Sequence, residues 1–197
     1  MPKLENSRQF IVEKTASLFN KKGYEGTSLT DIKDVTGLTK GAVYCNFRDK
    51  KELALEALDF NLKKLKSEFT KYVSVETHSI KKLEAYIKVY HSIFDNVLFE
   101  GGCPILNSAT DSDDTNPELF SRVKISLFDW RENIISIIES GKKNSQIKLE
   151  TNAQSFADTF ISLIEGGILL SKTLNSRTHM DSNLNTLSGI IDSIKME

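Results

Sequence analysis

The fold is decided by residues 27–47, which read TSLTDIKDVTGLTKGAVYCNF. Ser28 and Asp31 have the spacing of a capping box, which predicts the start of a short helix that Gly37 ends. Thr39 is a predicted N-cap for a second short helix that ends near Phe47. Two short helices joined by a tight turn with glycine are the layout of a helix-turn-helix.

Helical periodicity continues on both sides of this stretch. Apolar residues recur at Val12, Ala16 and Phe19 before Gly23, and a second capping pattern at 49–52 opens a long helix. Further helices are predicted over 80–98, from Pro117 to 137, over 153–174 and over 184–194. Since no alternating strand pattern of useful length occurs, we predict an all-α fold. It consists of a three-helix domain over 1–50 and a larger helical domain over 51–197.

The second short helix has the side chains that nucleic-acid binding requires. Small residues at 41 and 42 would let it approach a groove, and polar or apolar contacts would come from Thr39, Lys40, Tyr44, Cys45 and Asn46. Residues 21–51 contain seven basic and four acidic residues, although the whole chain has a net charge of −1. Such a local excess indicates a polyanionic partner. Lys50, in the first turn of the next helix, is placed to bind a phosphate.

Layout alone does not separate a DNA-binding unit from a structural one, because short capped helices also occur in other all-α proteins. The identities of the residues do separate these two interpretations. Thr27–Ile32, Val35–Phe47 and Lys50–Leu53, with Phe19, Gly23 and Tyr24 upstream, closely resemble the DNA-binding signature of the TetR family of repressors. The resemblance extends from about Arg8 to Leu58.

The resemblance implies a role for each position. Thr27, Tyr44 and Lys50 would position the DNA backbone, while Lys40, Cys45 and Asn46 would read base edges. Members of the family commonly have His at the position of Asn46, so the phosphate contact expected there is altered. The predicted DNA-binding residues are Thr27, Ser28, Thr39, Lys40, Gly41, Tyr44, Cys45, Asn46 and Lys50.

Beyond residue 60 the resemblance is looser, and it includes a block from Gly102 to Pro117 that is typical of one subgroup. It implies a ligand-binding domain whose last two helices form a four-helix bundle with a second subunit. Gly166 and Gly167, inside an apolar helix, each cost about 1 kcal/mol relative to alanine. Close helix approach would offset this cost, either at a subunit contact or within one subunit. The predicted dimer interface comprises Phe160, Ile164, Gly167, Ile168, Leu184, Leu187, Ile191 and Ile194.

An effector pocket is less evident from the sequence. The candidate residues are Tyr90, Phe94, Cys103, Phe128, Trp130, Phe156 and Phe160, although aromatic stripes form core more often than pocket. Cys103, between Gly102 and Pro104, is either a reactive thiol at a helix N-terminus or a small apolar residue. Residues 111–114 lack the glycine and glutamate of a calcium loop, so we interpret them as a solvated loop or cap.

Other classes of protein fit less well. An enzyme would need a nucleophile with a base, or a carboxylate pair in one cleft, and no such set can be assembled. A protein-binding helical adaptor would not account for residues 27–53. The scattered Cys and His residues predict no metal site, and no cofactor is expected. The sequence contains no apolar run of about 18 residues, the length that a membrane span needs. The first residues have no apolar segment of the signal-peptide kind.

The sequence therefore predicts a cytoplasmic homodimeric repressor. Its partners would be double-stranded operator DNA and an unidentified small-molecule effector that releases it.

Overall fold

The computed structural model describes residues 4–196, with side chains from Ser7 onward. Over this range the chain forms nine α-helices and no strand, which confirms the all-α prediction. The helices are α1 (Leu4–Gly26), α2 (Leu29–Thr36), α3 (Lys40–Tyr44), α4 (Lys50–Val73), α5 (Ser79–Phe99), α6 (Pro104–Ser112), α7 (Pro117–Lys143), α8 (Ala153–Thr173) and α9 (Thr178–Ser193). None of these helices is both long enough and apolar enough to cross a membrane.

Several helix boundaries differ from those predicted: α7 continues to Lys143 rather than 137, and no helix was predicted at the position of α6. Helix α3 ends at Tyr44 rather than near Phe47, because the Asn46 N–H turns back to the carbonyl of Val43 (2.9 Å). Helix α9 begins at Thr178, six residues before the predicted start. Gly23 is non-helical (φ 73°, ψ 175°) and interrupts α1, and helical structure resumes as far as Gly26.

The chain divides into two compact units. The first unit comprises Met1–Lys64 and Glu100–Ile125, so it is discontinuous in sequence. Its core contains residues of α1, α2, α3 and α4: Ile11, Val12, Ala16, Phe19, Ile32, Val43, Phe47, Leu53, Ala54 and Ala57. The functional boundary predicted after residue 50 stays a prediction.

The second unit comprises Leu65–Phe99 and Ser126–Glu197. Helices α8 and α9 pack closely within it, and Gly167 is needed at their contact. A Cβ at this position would lie 2.7 Å from Met180 Sδ and 3.4 Å from Met180 Cα. Gly167 is thus explained by packing within one chain, whereas a Cβ at Gly166 would meet only Asn183 Nδ2, at 3.8 Å.

Both short helices of residues 27–47 begin at their predicted capping residues, and α2 ends at Gly37 as predicted. Ser28 Oγ accepts from the Asp31 N–H (3.1 Å), and Asp31 Oδ2 accepts from the Ser28 N–H (2.8 Å). Gly37 adopts the left-handed conformation (φ 70°, ψ 8°) that ends α2. Thr39 Oγ1 then accepts from the Ala42 N–H (3.2 Å) at the start of α3. These local bonds define the turn between the helices.

The capping box has a testable pH dependence. Hydrogen bonds from Lys22 Nζ (2.5 Å), and then from Ser28, lower the pKa of Asp31 from 3.8 to about 2. Because the folded-state pKa is depressed, the stabilisation is present above pH 4 and is lost as the pH falls from about 4 towards 2. We expect the Asp31 carboxyl carbon to titrate with a midpoint near 2 by NMR.

Two variants test the cause of this shift. Lys22→Ala should move the midpoint towards 3.8, whereas Lys21→Ala removes a neighbouring charge and should leave it near 2. A wild-type midpoint close to 4 would show that the capping box does not hold the carboxylate.

Candidate functional site

Helix α3 presents one polar face outside the core of the first unit. Thr39, Lys40, Gly41 and Cys45 are exposed on this helix and at its ends, whereas Val43 is buried. A Cβ at Gly41 would meet no atom within 4 Å, so the backbone of α3 can be approached closely at this point. The structure therefore brings together four of the nine predicted DNA-binding residues on one accessible face.

Four other predicted residues make contacts within the chain. Thr27 is 1% exposed, and its hydroxyl donates to the carbonyl of Gly23 (2.7 Å). Tyr44 is half-buried, and burial raises the pKa of its hydroxyl. Half-buried Asn46 donates through Nδ2 to the carbonyl of Ala42 (3.0 Å). Lys50 is also half-buried, and its contacts hold the end of α1.

The ammonium of Lys50 lies against the last turn of α1. Nζ donates to the carbonyls of Tyr24 (2.7 Å) and Thr27 (3.0 Å), and it lies 4.3 Å from the centre of the Tyr24 ring. A positive charge at the carbonyl end of a helix is favourable, and the aromatic face adds a cation–π interaction. Ser28, the ninth predicted residue, is exposed directly after this turn. Lys50 thus joins α4 to the start of α2.

Arg8 is an organising residue that the sequence reasoning missed. Its guanidinium donates to the carbonyl of Asn46 and to Glu52 (2.6 Å) and Glu56, and it lies 4.4 Å from the centre of the Phe47 ring. These carboxylates, Glu56 first, raise the pKa of Arg8, and its hydrogen bond lowers that of Glu52. The partners are 38 to 48 positions away, and the only sequence signal was that Arg8 begins the family resemblance.

The positive charge around α2 and α3 is partly balanced within the first unit. Ion pairs join Lys22 to Asp31 (2.5 Å), Arg48 to Asp49 (3.1 Å) and Lys51 to Glu118 (3.1 Å). All six side chains are at least partly exposed, so these pairs stabilise the fold little and can rearrange. Lys33 and Lys40 are exposed on α2 and α3. Asp34 is exposed beside Lys33, so α2 and α3 alone have no net charge, and the positive excess of residues 21–51 comes from the residues around them.

The predicted effector residues are divided between the two units. Cys103 is buried in the first unit at the N-cap of α6. The other six belong to the second unit. There Tyr90 contacts Phe69 (centroids 4.8 Å apart), and Phe160 contacts Tyr86 (5.6 Å) and Phe156 (6.2 Å).

Most of the six predicted residues of the second unit are buried, and three of them, Tyr90, Phe156 and Phe160, take part in these ring contacts. Tyr90, Phe94, Phe156 and Phe160 are buried, Trp130 is half-buried and Phe128 is 59% exposed. The second unit also has an open depression of about 630 Å³ on the first half of α8. It contains none of the predicted effector residues and is lined by Asn152, Gln154, Ser155, Asp158, Thr159, Ser162 and Leu163.

The predicted dimer residues lie on the inner faces of α8 and α9. Phe160, Ile164, Gly167, Ile168, Leu184, Leu187 and Ile191 are buried within a single chain, and Ile194 is half-buried. The outward face of α8 carries Gly166 with Leu169 (54% exposed) and Leu170 (43% exposed). The outward face of α9 carries small residues: Ser182, Thr186 and Gly189. A partner helix would therefore contact these outward faces.

Comparisons with known proteins show which family the chain resembles. Residues 11–57 match the family described as bacterial regulatory proteins, tetR family, and residues 79–187 match the tetracyclin repressor-like C-terminal domain. A TetR-family regulator from Cytophaga hutchinsonii is 34% identical, with a TM-score of 0.92 over 100% of this chain and 98% of that chain. A TetR transcriptional regulator from Chloroflexus aurantiacus J-10-FL is also 34% identical, with a TM-score of 0.94 over 100% of both chains.

A relative known from its sequence gives the same result. An uncharacterized HTH-type transcriptional regulator of Lactococcus lactis subsp. lactis is 28% identical over 192 residues, covering 93% of this chain and 92% of that protein. The two matched domains together span most of the chain, and the helix-turn-helix lies within the N-terminal match. The protein therefore belongs to the TetR family of helix-turn-helix transcriptional regulators.

Proposed function

We propose that the protein is a cytoplasmic repressor that binds operator DNA as a homodimer and is released by a small-molecule effector. The observation that carries this proposal is the exposed polar face of α3, whose opposite side is fixed in the core by Val43 and Phe47. A helix held in this way can enter the major groove without unfolding its support. A dimer bound across an operator would exclude other proteins from the same DNA.

Each predicted DNA-binding residue has a role in this proposal. Thr39, Lys40, Cys45 and Asn46 would contact base edges, while Gly41 allows the backbone of α3 to come close. The N-terminus of α2 would bind a phosphate through the Leu29 and Thr30 N–H groups, which the capping box does not use, with the exposed Ser28 beside them. Thr27, Tyr44 and Lys50 would support these contacts. Of the three, Lys50 keeps one N–H beyond its two carbonyl bonds.

The dimer is proposed to form through the outward faces of α8 and α9. Leu169 and Leu170 expose apolar surface that a second copy would cover, and the small residues of α9 would allow close helix packing. Two-fold symmetry would place the same faces of both chains together. It would also set two α3 helices about 34–36 Å apart, one turn of DNA.

The effector is proposed to act on the aromatic cluster of the second unit. Tyr90, Phe94, Phe156 and Phe160 would have to separate to admit an apolar ligand, with Phe128 and Trp130 as further candidates. Such a ligand must bind better to the conformation with low DNA affinity, since equal binding shifts nothing. Modification of Cys103 is the alternative trigger. Its burial requires α6 to move before a reagent can reach it.

The function is tested by DNA binding at several salt concentrations. Duplexes should be selected from a random pool by the full-length protein, and binding to them compared with binding to an unselected duplex. We expect tighter binding to the selected duplex and a fall of about 10³–10⁵ in affinity between about 50 and 200 mM salt for 6–10 phosphate contacts. Equal binding to both duplexes would exclude sequence-specific regulation.

Gly41→Ala should have opposite effects on stability and on DNA binding. Alanine stabilises a helix by about 1 kcal/mol relative to glycine, and its methyl group would meet no atom of the chain within 4 Å. In the complex this methyl group would lie between α3 and the groove, so affinity for the selected duplex should fall about tenfold. Thermal denaturation and duplex titration measure the two effects.

Ser67→Ala is the control for this variant, because Ser67 is an exposed position of α4 in the second unit. It should stabilise the fold without changing DNA affinity. If Gly41→Ala binds the selected duplex as tightly as Ser67→Ala does, α3 does not approach DNA at this face.

The double variant Leu169→Glu with Leu170→Glu should yield monomers. Both side chains are exposed in the single chain, so the monomer fold should persist while charge repels the partner copy. Analytical ultracentrifugation measures the result, and Leu149→Glu, at a 75% exposed leucine outside both helices, is the matched control. A dimer of unchanged strength in the double variant would place the interface elsewhere.

A further inference from the structure

The kink at Gly23 is followed by a backbone N–H that a residue distant in sequence accepts. A break in a helix releases the N–H of the following residue from its helical acceptor. At Tyr24 this N–H donates to Asp111 Oδ2 of α6, at 2.7 Å. Asp111 thus acts on the turn from Tyr24 to Thr27 as an N-cap residue acts on a helix, but from 87 positions along the chain.

Lys50 holds the other end of the same turn, because its ammonium donates to the carbonyls of Tyr24 and Thr27. The turn is therefore fixed between a carboxylate of α6 and an ammonium of α4. Ser28 follows it directly and begins α2 with its capping box. Displacement of this turn would move Thr27, Ser28 and Lys50 together.

Neighbouring residues keep the Asp111 carboxylate in place. A Cβ at Gly23 would overlap this carboxylate, so the position needs glycine for space as well as for its positive φ. One turn earlier in α6, Asn107 Nδ2 lies 3.1 Å from the carbonyl of Asn20 and 2.8 Å from that of Gly101. Asn20 Nδ2 in turn donates to the carbonyls of Glu100 (2.8 Å) and Gly102 (2.9 Å). The side chains of Asn107 and Asn20 thus link α6, and the loop before it, to α1 by hydrogen bonds.

We propose that Asp111 is a positioning residue of the DNA interface, acting through the Tyr24 N–H to hold Thr27, Ser28 and Lys50 in their binding geometry. The proposal rests on the proposed DNA-binding function. It assigns an acidic residue a favourable effect on the binding of a polyanion. This is opposite in sign to the effect of its charge alone, because removal of a negative charge normally strengthens attraction to DNA.

Three variants of the full-length protein use this sign to test the proposal. Asp111→Ala should weaken binding to the selected duplex about tenfold, the size expected for loss of a charge-assisted hydrogen bond. Asp111→Asn keeps an oxygen acceptor and should bind within about twofold of the wild type. Asp114→Ala removes the same charge from an exposed position nearby and should bind as tightly as the wild type or more tightly.

Hydrogen exchange of the Tyr24 amide, measured by NMR, provides a second readout that needs no DNA. Exchange should be faster in Asp111→Ala than in the wild type, and unchanged in Asp111→Asn and Asp114→Ala. This measurement also separates the two hypotheses. If the wild type selects no duplex, the DNA-binding function fails, whereas the cap is still supported or refuted by the amide of Tyr24.

The proposal is overturned if Asp111→Ala binds DNA as tightly as Asp114→Ala while the wild type binds normally. It is also overturned if Tyr24 exchange is unchanged in Asp111→Ala, or if Asp111→Asn binds as weakly as Asp111→Ala. Should Asp111→Ala fail to fold, Asp111→Asn decides: normal affinity and Tyr24 protection support the hydrogen bond, and loss of either contradicts it.

Discussion

Helix α3 has only five residues, far fewer than the 12–15 or so that an isolated helix needs in water. Its existence therefore depends on contacts with the rest of the first unit. Thr39 caps its start, Val43 and Phe47 are buried beneath it, and Arg8 binds the carbonyl of Asn46 at its end. Because these contacts use one side of the helix, the exposed positions take no part in packing. Apart from Thr39, whose hydroxyl caps α3, residues at these positions could be replaced with little cost to the fold, and in the proposed function such replacements would change the DNA sequence recognised.

The parts of the structure that could be predicted from the sequence are those formed by neighbouring residues. The capping box of Ser28 and Asp31, the left-handed Gly37 and the Thr39 cap each involve residues at most four positions apart. Contacts across longer distances left no periodic signal. Lys50 was predicted to bind a phosphate, but its bonds to carbonyls 23 and 26 positions away could be seen only in three dimensions. Asp111 was interpreted as a solvated loop or cap, and it caps a helix turn that the sequence did not associate with it.

The second unit shows a different limit of sequence reasoning. Helix α8 is apolar on more than one side, so periodicity identifies the helix but not which side faces its own chain. Ile164 and Ile168 pack inside the unit, whereas Leu169 and Leu170 point outward from the same helix. The aromatic residues present the same ambiguity, since Phe160 and Phe128 have identical side chains but are 0% and 59% exposed. Burial depends on the neighbours that the tertiary fold supplies.

The discontinuity of the first unit has a consequence for folding during synthesis. The residues of the helix-turn-helix leave the ribosome before α6 does, and Asp111 lies 67 positions after Tyr44, the end of α3 (111 − 44). Until α6 emerges, the Tyr24 N–H lacks the Asp111 carboxylate that accepts its hydrogen bond. The carbonyl of Asn20 likewise lacks the Asn107 side chain that donates to it. Contacts of such long sequence separation form late, since the chain between them must first be ordered. The nascent chain would therefore complete the proposed DNA-binding unit only after the first segment of the second unit, Leu65–Phe99, has been made.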